Sequence, residues 1–219
     1  MKLTSKDFIN YFKHVVEMIE VEKDYLCELD RKLGDGDHGV TMSIGWQAIN
    51  EKLNNELANE SDCGKISSTI GMTFLNAVGS SVGPLYATGF LRGAKVVAQK
   101  SELNDADLAE FWIAFVNGVK ERGKSKVGDK TMVDTLEPAL QSLEENFSKT
   151  QDFLSSFEQA VLAGEKGMKS TIDLTSKIGR SSRLGERSKG SQDPGATSAY
   201  LILSTFLTFV KEQSKTSNV

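Results

Sequence analysis

The sequence holds only two cysteines, three prolines and two histidines in 219 residues, and each scarcity closes off a class of protein. Cys27 and Cys63 stand in no CxxC or Cys/His spacing, so neither a disulfide framework nor a structural zinc site is expected, and both read most simply as small buried apolar residues. A secretory leader and an apolar run of membrane-spanning length are also missing, which points to a reduced, cytoplasmic setting without membrane attachment. Excess positive charge is lacking too: 26 basic against 30 acidic residues leave a net charge of −4. That balance disfavours nucleic acid as a partner and means that a phosphate ligand would need a metal ion. Alternating β-branched runs, the signature of strands, are absent. The charged and apolar fractions are those of an ordinary globule, and one domain over 1–219 is expected.

What is present is helical periodicity. Phe8, Ile9, Phe12, Val15, Val16, Ile19 and Leu26 recur at three- and four-residue spacings and predict an amphipathic helix over 5–26 that delivers Asp30. The same spacing recurs at about 40–54, 65–78, 84–99, 105–122, 130–147, 151–172 and 195–213. Pro84 and Pro194 sit where first helical turns begin, and Pro138 either kinks its helix or marks its start. Short connections between long helices predict an all-α bundle with antiparallel neighbours.

The most informative stretch is Leu29-Asp-Arg-Lys-Leu-Gly-Asp-Gly-Asp-His-Gly39, which packs Asp30, Asp35 and Asp37 between Gly34, Gly36 and Gly39. Ionised carboxylates a few ångströms apart repel by roughly 1–4 kcal/mol per pair at surface-like dielectric, so the arrangement calls for a cation. All-oxygen ligands on a short loop suit Mg²⁺ or Ca²⁺ rather than zinc. A plain Gly/Asp turn is the alternative reading.

Two further glycine-rich breaks bear on phosphate. Gly79-Ser80-Ser81-Val82-Gly83-Pro84 offers small residues at a helix start, suited either to a neighbouring helix or to an anion at the free N–H groups. Gly118 to Ser125 matches GxxxxGK[ST] letter for letter, but Leu108, Phe111, Ile113, Phe115 and Val119 place it on a helix ending near Gly123, without the preceding strand a P-loop needs. Gly128-Asp129-Lys130-Thr131 then opens the next helix, either as a ligand-facing turn or as a capped start with a charged first turn.

Residues 179–195 carry almost nothing for a core. Arg180, Arg183, Arg187 and Lys189 supply donors suited to phosphate, and Asp193-Pro194 reads as an N-cap followed by a first helical residue. A mobile lid over an anionic ligand fits, and a solvated basic loop fits the same composition.

Together the blocks LDRKLGDGDHGVTM, VGSSVGPLYATGF, RGKSKVGDKTMVDTLEPAL and GRSSRLGERSKGSQDPGATSAYLIL span most of the chain and resemble the nucleotide-binding (L) subunit or domain of dihydroxyacetone kinases. The resemblance implies an all-α barrel of about eight antiparallel helices with a nucleotide site at one end. It implies that Asp30, Asp35 and Asp37 ligate two Mg²⁺ holding the phosphates of ADP or ATP. Nucleotide contacts are implied at His38, Gly39, Val40, Thr41, Gly79, Ser80 and Ser81, at Gly123 and Met132 on the base or ribose side, and at Arg180, Asp193, Pro194 and Gly195 from the lid. His38 is otherwise a hydrogen-bonded loop histidine, and His14 is incidental.

No residue is implied as a catalytic acid or base. In this family the substrate sits on a different domain, held covalently through a histidine, and this chain has no room for it. The implied function is a subunit that passes a phosphoryl group to dihydroxyacetone on a partner substrate-binding subunit. Its ADP would be retained and rephosphorylated by a phosphotransferase-system phosphoprotein, and a homodimer is a further expected assembly. Arg183, Lys189 and Ser191 stand where the family usually has Tyr, Ile and His, which makes the lid more basic. The same family pattern is compatible with a non-catalytic nucleotide-binding regulator, or with a kinase component for another short sugar or a fatty acid.

Overall fold

A computed structural model describes residues 1–216. Among the described residues there are eight α-helices: α1 (Ser5–Arg31), α2 (His38–Asn54), α3 (Cys63–Ala77), α4 (Val82–Val96), α5 (Asp105–Gly123), α6 (Val133–Thr150), α7 (Phe153–Ser170) and α8 (Pro194–Thr216). They match the eight expected spans to within a few residues at most ends. The largest difference is at α1, which continues to Arg31 because Leu26, Cys27 and Leu29 keep the buried stripe going. Two short strands, β1 (Lys2–Thr4) and β2 (Glu102–Asn104), were not expected and pair antiparallel. At three residues each they are too short to show an alternating pattern.

Each helix packs against the next in sequence, and α8 packs back on α1, so the layer closes into a ring. Pairing of β1 with β2 puts the starts of α1 and α5 at one end. The same end is tied together by Ser5 N–H donating to Ser101 O (2.8 Å), Cys63 N–H to Lys100 O (2.8 Å) and Phe153 N–H to an Asp105 carboxylate oxygen (2.9 Å). The odd-numbered helices therefore all begin there, and the even-numbered helices begin at the other end. Thr4 and Asn104 close capping boxes on α1 and α5, with Asp7 and Asp107 completing them.

Inside the ring an aromatic column fills the space: Tyr11, Phe12, Trp46, Phe74, Phe90, Trp112, Phe115 and Phe206 are all at most 1 % exposed. Edge-to-face contacts connect them, as for Tyr11 with Phe206 (4.8 Å) and Trp112 with Phe206 (5.1 Å). Both cysteines are buried, as expected. Pro138 neither starts nor ends α6. It leaves the carbonyl of Asp134 without its usual i+4 donor, and Gly167 of α7 packs against that oxygen, where a Cβ would lie 1.9 Å away.

Candidate functional site

The even-numbered helix starts converge on a cavity of about 450 Å³. Asp37 and His38 reach it from α2, Ser80 and Ser81 from α4, Met132 and Val133 from α6, and Pro194 and Gly195 from α8. Four helix N-termini turn the positive ends of their dipoles on one space, which favours an anion there, although carboxylates of Asp30 and Asp193 already take the first N–H groups of α2 and α8. Ser80 adds a buried hydroxyl oxygen with no hydrogen-bond partner, a donor group held for a ligand.

Against this positive collar stand the three aspartates. One carboxylate oxygen from each of Asp30, Asp35 and Asp37 lies within 4.8 Å of the others. The chain reverses here through Gly36 at φ 77°. Asp30, at the end of α1, accepts N–H bonds from Asp37 (2.9 Å) and His38 (3.1 Å) on one oxygen, so it caps α2 while its other oxygen stays available. Arg180 donates to Asp35 and lies 3.9 Å from Asp37, so the lid supplies a cation to the cluster. The donors are all hard oxygens on adjoining turns, and their chemistry fits Mg²⁺ or Ca²⁺.

The cavity is also lined by the apolar side chains of Leu33, Leu85, Val119, Met132 and Ile178. A flat hydrophobic group and an anionic chain can thus be held at once. Of these only Met132 was expected at the site, because the others belong to ordinary helical stripes or loops that ring closure brings together.

Most of the residues expected at the site line this cavity: Asp30, Asp35, Asp37, His38, Thr41, Ser80, Ser81, Gly123, Met132, Arg180, Asp193, Pro194 and Gly195. Gly39, Val40 and Gly79 are not among its lining residues. Gly39 faces α1, where a Cβ would meet Lys23 O at 1.9 Å, so its missing side chain lets α2 approach α1. Val40 points outward, 43 % exposed. The GxxxxGKS segment is helical through Gly123, and Lys124, not glycine, takes the left-handed cap at φ 52°. Helix α5, not a strand, leads into it, so it is no P-loop, although Gly123 and Ser125 line the cavity.

The late segment is more ordered than a loop: Thr171–Asp173 and Arg180–Ser188 form 3₁₀ turns. Short polar side chains build this order in place of a core. Ser188 is fully buried, receiving Ser176 N–H (2.8 Å) and donating to Gly185 O (2.6 Å). Sequence reasoning missed this because serines in a basic stretch look solvated.

Two titratable groups under the cavity are shifted in opposite senses by burial. The His38 imidazole is pushed down to about 4, so it is neutral near pH 7, with Nε2 2.9 Å from Ser198 Oγ. The Asp193 carboxyl is pushed up to about 7, with the Ala196 N–H and Lys130 opposing the rise. Because the folded chain then binds the Asp193 proton more tightly than the unfolded chain, this group's contribution to stability is present in acid and is lost as pH rises from about 4 to about 7. Asp193→Asn keeps the acceptor for Ala196 and removes the titration. Urea midpoints of the nucleotide-free proteins are therefore expected to diverge in favour of the variant as pH rises through that window, and parallel profiles would refute the assignment.

The sequence matches the DAK2 domain family over residues 32–208. It is 37 % identical over 206 residues to the ADP-binding subunit DhaL of PEP-dependent dihydroxyacetone kinase 2 from Listeria innocua, covering 92 % of this chain and 95 % of that one. It is 35 % identical over 212 residues to the Escherichia coli PEP-dependent dihydroxyacetone kinase ADP-binding subunit DhaL, covering 97 % and 100 %. The native crystal structure of the C. freundii dihydroxyacetone kinase superposes with a TM-score of 0.69 at 25 % identity, covering 91 % of this chain and 34 % of that longer one. That kinase in complex with AMP-PNP and Mg²⁺ gives 0.70 at 23 %, a likeness of fold. An eight-helix ring with the family's match over most of its length leaves one conclusion: the chain belongs to the DAK2 domain family.

Proposed function

We propose that this chain is the nucleotide-binding subunit of a dihydroxyacetone kinase, holding ADP or ATP with two Mg²⁺ and passing a phosphoryl group to dihydroxyacetone on a partner subunit. The observation that carries the reading is the meeting of three carboxylates with four helix N-termini around one cavity. The relatives named above are ADP-binding subunits of kinases that act on dihydroxyacetone, and they match over nearly their whole length. Their PEP dependence, and the phosphotransferase-system dependence in the name of a Lactococcus lactis relative 35 % identical over 208 residues, support a phosphoprotein as donor.

In this reading Asp30, Asp35 and Asp37 would hold the metal ions. Bound Mg²⁺ would neutralise phosphate charge beside the carboxylates. The dipoles of α2, α4, α6 and α8 and the Ser80 hydroxyl orient the phosphates, and the Leu85–Met132 side receives the base. Arg180 is placed to follow charge on the transferred group. Placement and charge neutralisation carry phosphoryl transfer, so no protein base is needed.

The test is to denature the purified protein and quantify released nucleotide. Near-stoichiometric ADP is expected. Turnover with the partner subunit should then require a phosphorylated donor protein and not run on ATP alone. Nucleotide-free protein that never binds Mg²⁺–ADP would refute the site, and ATP-driven turnover would refute the retained cofactor.

A further inference from the structure

Lys130 is 1 % exposed, and its ammonium makes no close ion pair among the described residues, although the Asp193, Asp134 and Asp173 carboxylates favour its charge from farther off. Backbone carbonyls surround it instead: Nζ donates to Ser188 O (2.6 Å), Ser191 O (2.6 Å), Thr171 O (2.7 Å) and Leu174 O (3.2 Å). These acceptors come from both roots of the lid, Thr171 opening the first 3₁₀ turn with Leu174 just after it, and Ser188 ending the second with Ser191 beyond it. Three N–H groups shared among four carbonyls make a cation cage of the kind that holds K⁺ or ammonium, here filled by a side chain. The residue holds a left-handed backbone, φ 63°, to reach it. Asp134 secures that turn by accepting from Gly128 N–H (2.6 Å) and Thr131 N–H (2.7 Å).

We propose that Lys130 is a positioning residue whose tethered ammonium locks the lid in the conformation that sets Arg180 over the aspartates and Asp193 beneath the cavity. The argument is electrostatic. The four carbonyl dipoles point at one place and repel one another without a cation there. Other bonds also hold these roots, among them Gly190 N–H to Ile172 O (2.7 Å), Lys177 N–H to Asp129 O (3.1 Å), Asp193 N–H to Thr171 Oγ1 (3.0 Å), Thr175 Oγ1 to Glu186 (2.9 Å) and the Ser176–Ser188 bond, but of the four carbonyls they reach only Thr171 O, through Leu174 N–H (3.3 Å). An apolar residue would fill the volume but leave buried carbonyls unpaired, so the charge itself carries the function. Lys130 also lines the cavity, which couples the lid's roots directly to the ligand space.

The consequence for nucleotide retention rests on the reading of the cavity as a nucleotide site, and the test separates the two. Release of a fluorescent ADP analogue with Mg²⁺ is measured for the full chain, Lys130→Met and Lys130→Ala, with hydrogen exchange of residues 171–192 followed without nucleotide. Both variants are expected to keep their helical circular dichroism, to release ADP at least about tenfold faster and to exchange faster in that segment. In Lys130→Ala, K⁺ or methylammonium should restore both readouts in a concentration-dependent way, while choline at equal ionic strength should not. Folded variants with unchanged exchange, loss of helicity in both variants, or no rescue by either small cation would each overturn the proposal. A wild-type chain that binds no nucleotide, with exchange still cation-dependent in the variant, would refute the nucleotide reading and leave the lock standing.

Discussion

Asp35→Asn is expected to weaken Mg²⁺-dependent ADP binding by at least about a hundredfold without lowering the thermal stability of the nucleotide-free protein. Removing one carboxylate from the cluster takes away a metal ligand and a unit of charge, an effect of roughly 3 kcal/mol on a divalent ion bound near the surface. The nucleotide-free fold responds differently. Asp35 is 53 % exposed, and relieving its repulsion with Asp30 and Asp37 offsets the loss of its exposed pair with Arg180, which contributes little. Asp37→Asn should behave similarly. Asp30→Asn should also cost stability, because its carboxylate receives the first N–H groups of α2. Calorimetric titration of ADP with and without Mg²⁺, beside a melting curve for each variant, reads both effects. Unchanged, metal-dependent ADP affinity in Asp35→Asn would sink the metal-site assignment.

Arg180→Ala is expected to move two measurements in opposite directions. Phosphoryl transfer to dihydroxyacetone, assayed with the partner subunit and a phosphoryl donor, should slow by about 10²–10³-fold, the scale of losing one preorganised charge from a transfer site. Mg²⁺ affinity of the nucleotide-free chain should instead rise, because the guanidinium that competes for Asp35 and Asp37 is gone. Arg180→Lys should recover the transfer rate only in part, since a point charge cannot reproduce the planar fork. A variant with normal turnover, or with weaker Mg²⁺ binding, would show that Arg180 merely decorates the surface of the lid.

How legible the molecule was differs from element to element. The helices were, because apolar residues such as Phe8, Phe12, Val15 and Ile19 recur at the helical period and bury one stripe. The strands were not, since three residues carry no period. At the site, Asp30, Asp35 and Asp37 stood out because clustered charge has a cost that local sequence makes visible. Gly39 carried the opposite lesson. It lies in the same motif, yet its side-chain position is occupied by the backbone of α1, a packing constraint that no residue nearby in sequence announces. Lys130 was visible as a charge in a glycine-rich turn, but its partners lie 41 to 61 residues away, so its role was not.

By itself, then, the sequence determined the all-α class, the eight helical segments and a carboxylate cluster that calls for a cation, because periodicity and charge density are local properties. Tertiary structure decided the rest. Closing α8 onto α1 makes a ring, and the strand pair sets which end each helix starts from. Only then do the starts of α2, α4, α6 and α8 line one cavity with the aspartates, and only then does a lysine from one turn fill a cage of carbonyls from another. Those are distances between segments far apart in the chain, and long-range packing alone sets them.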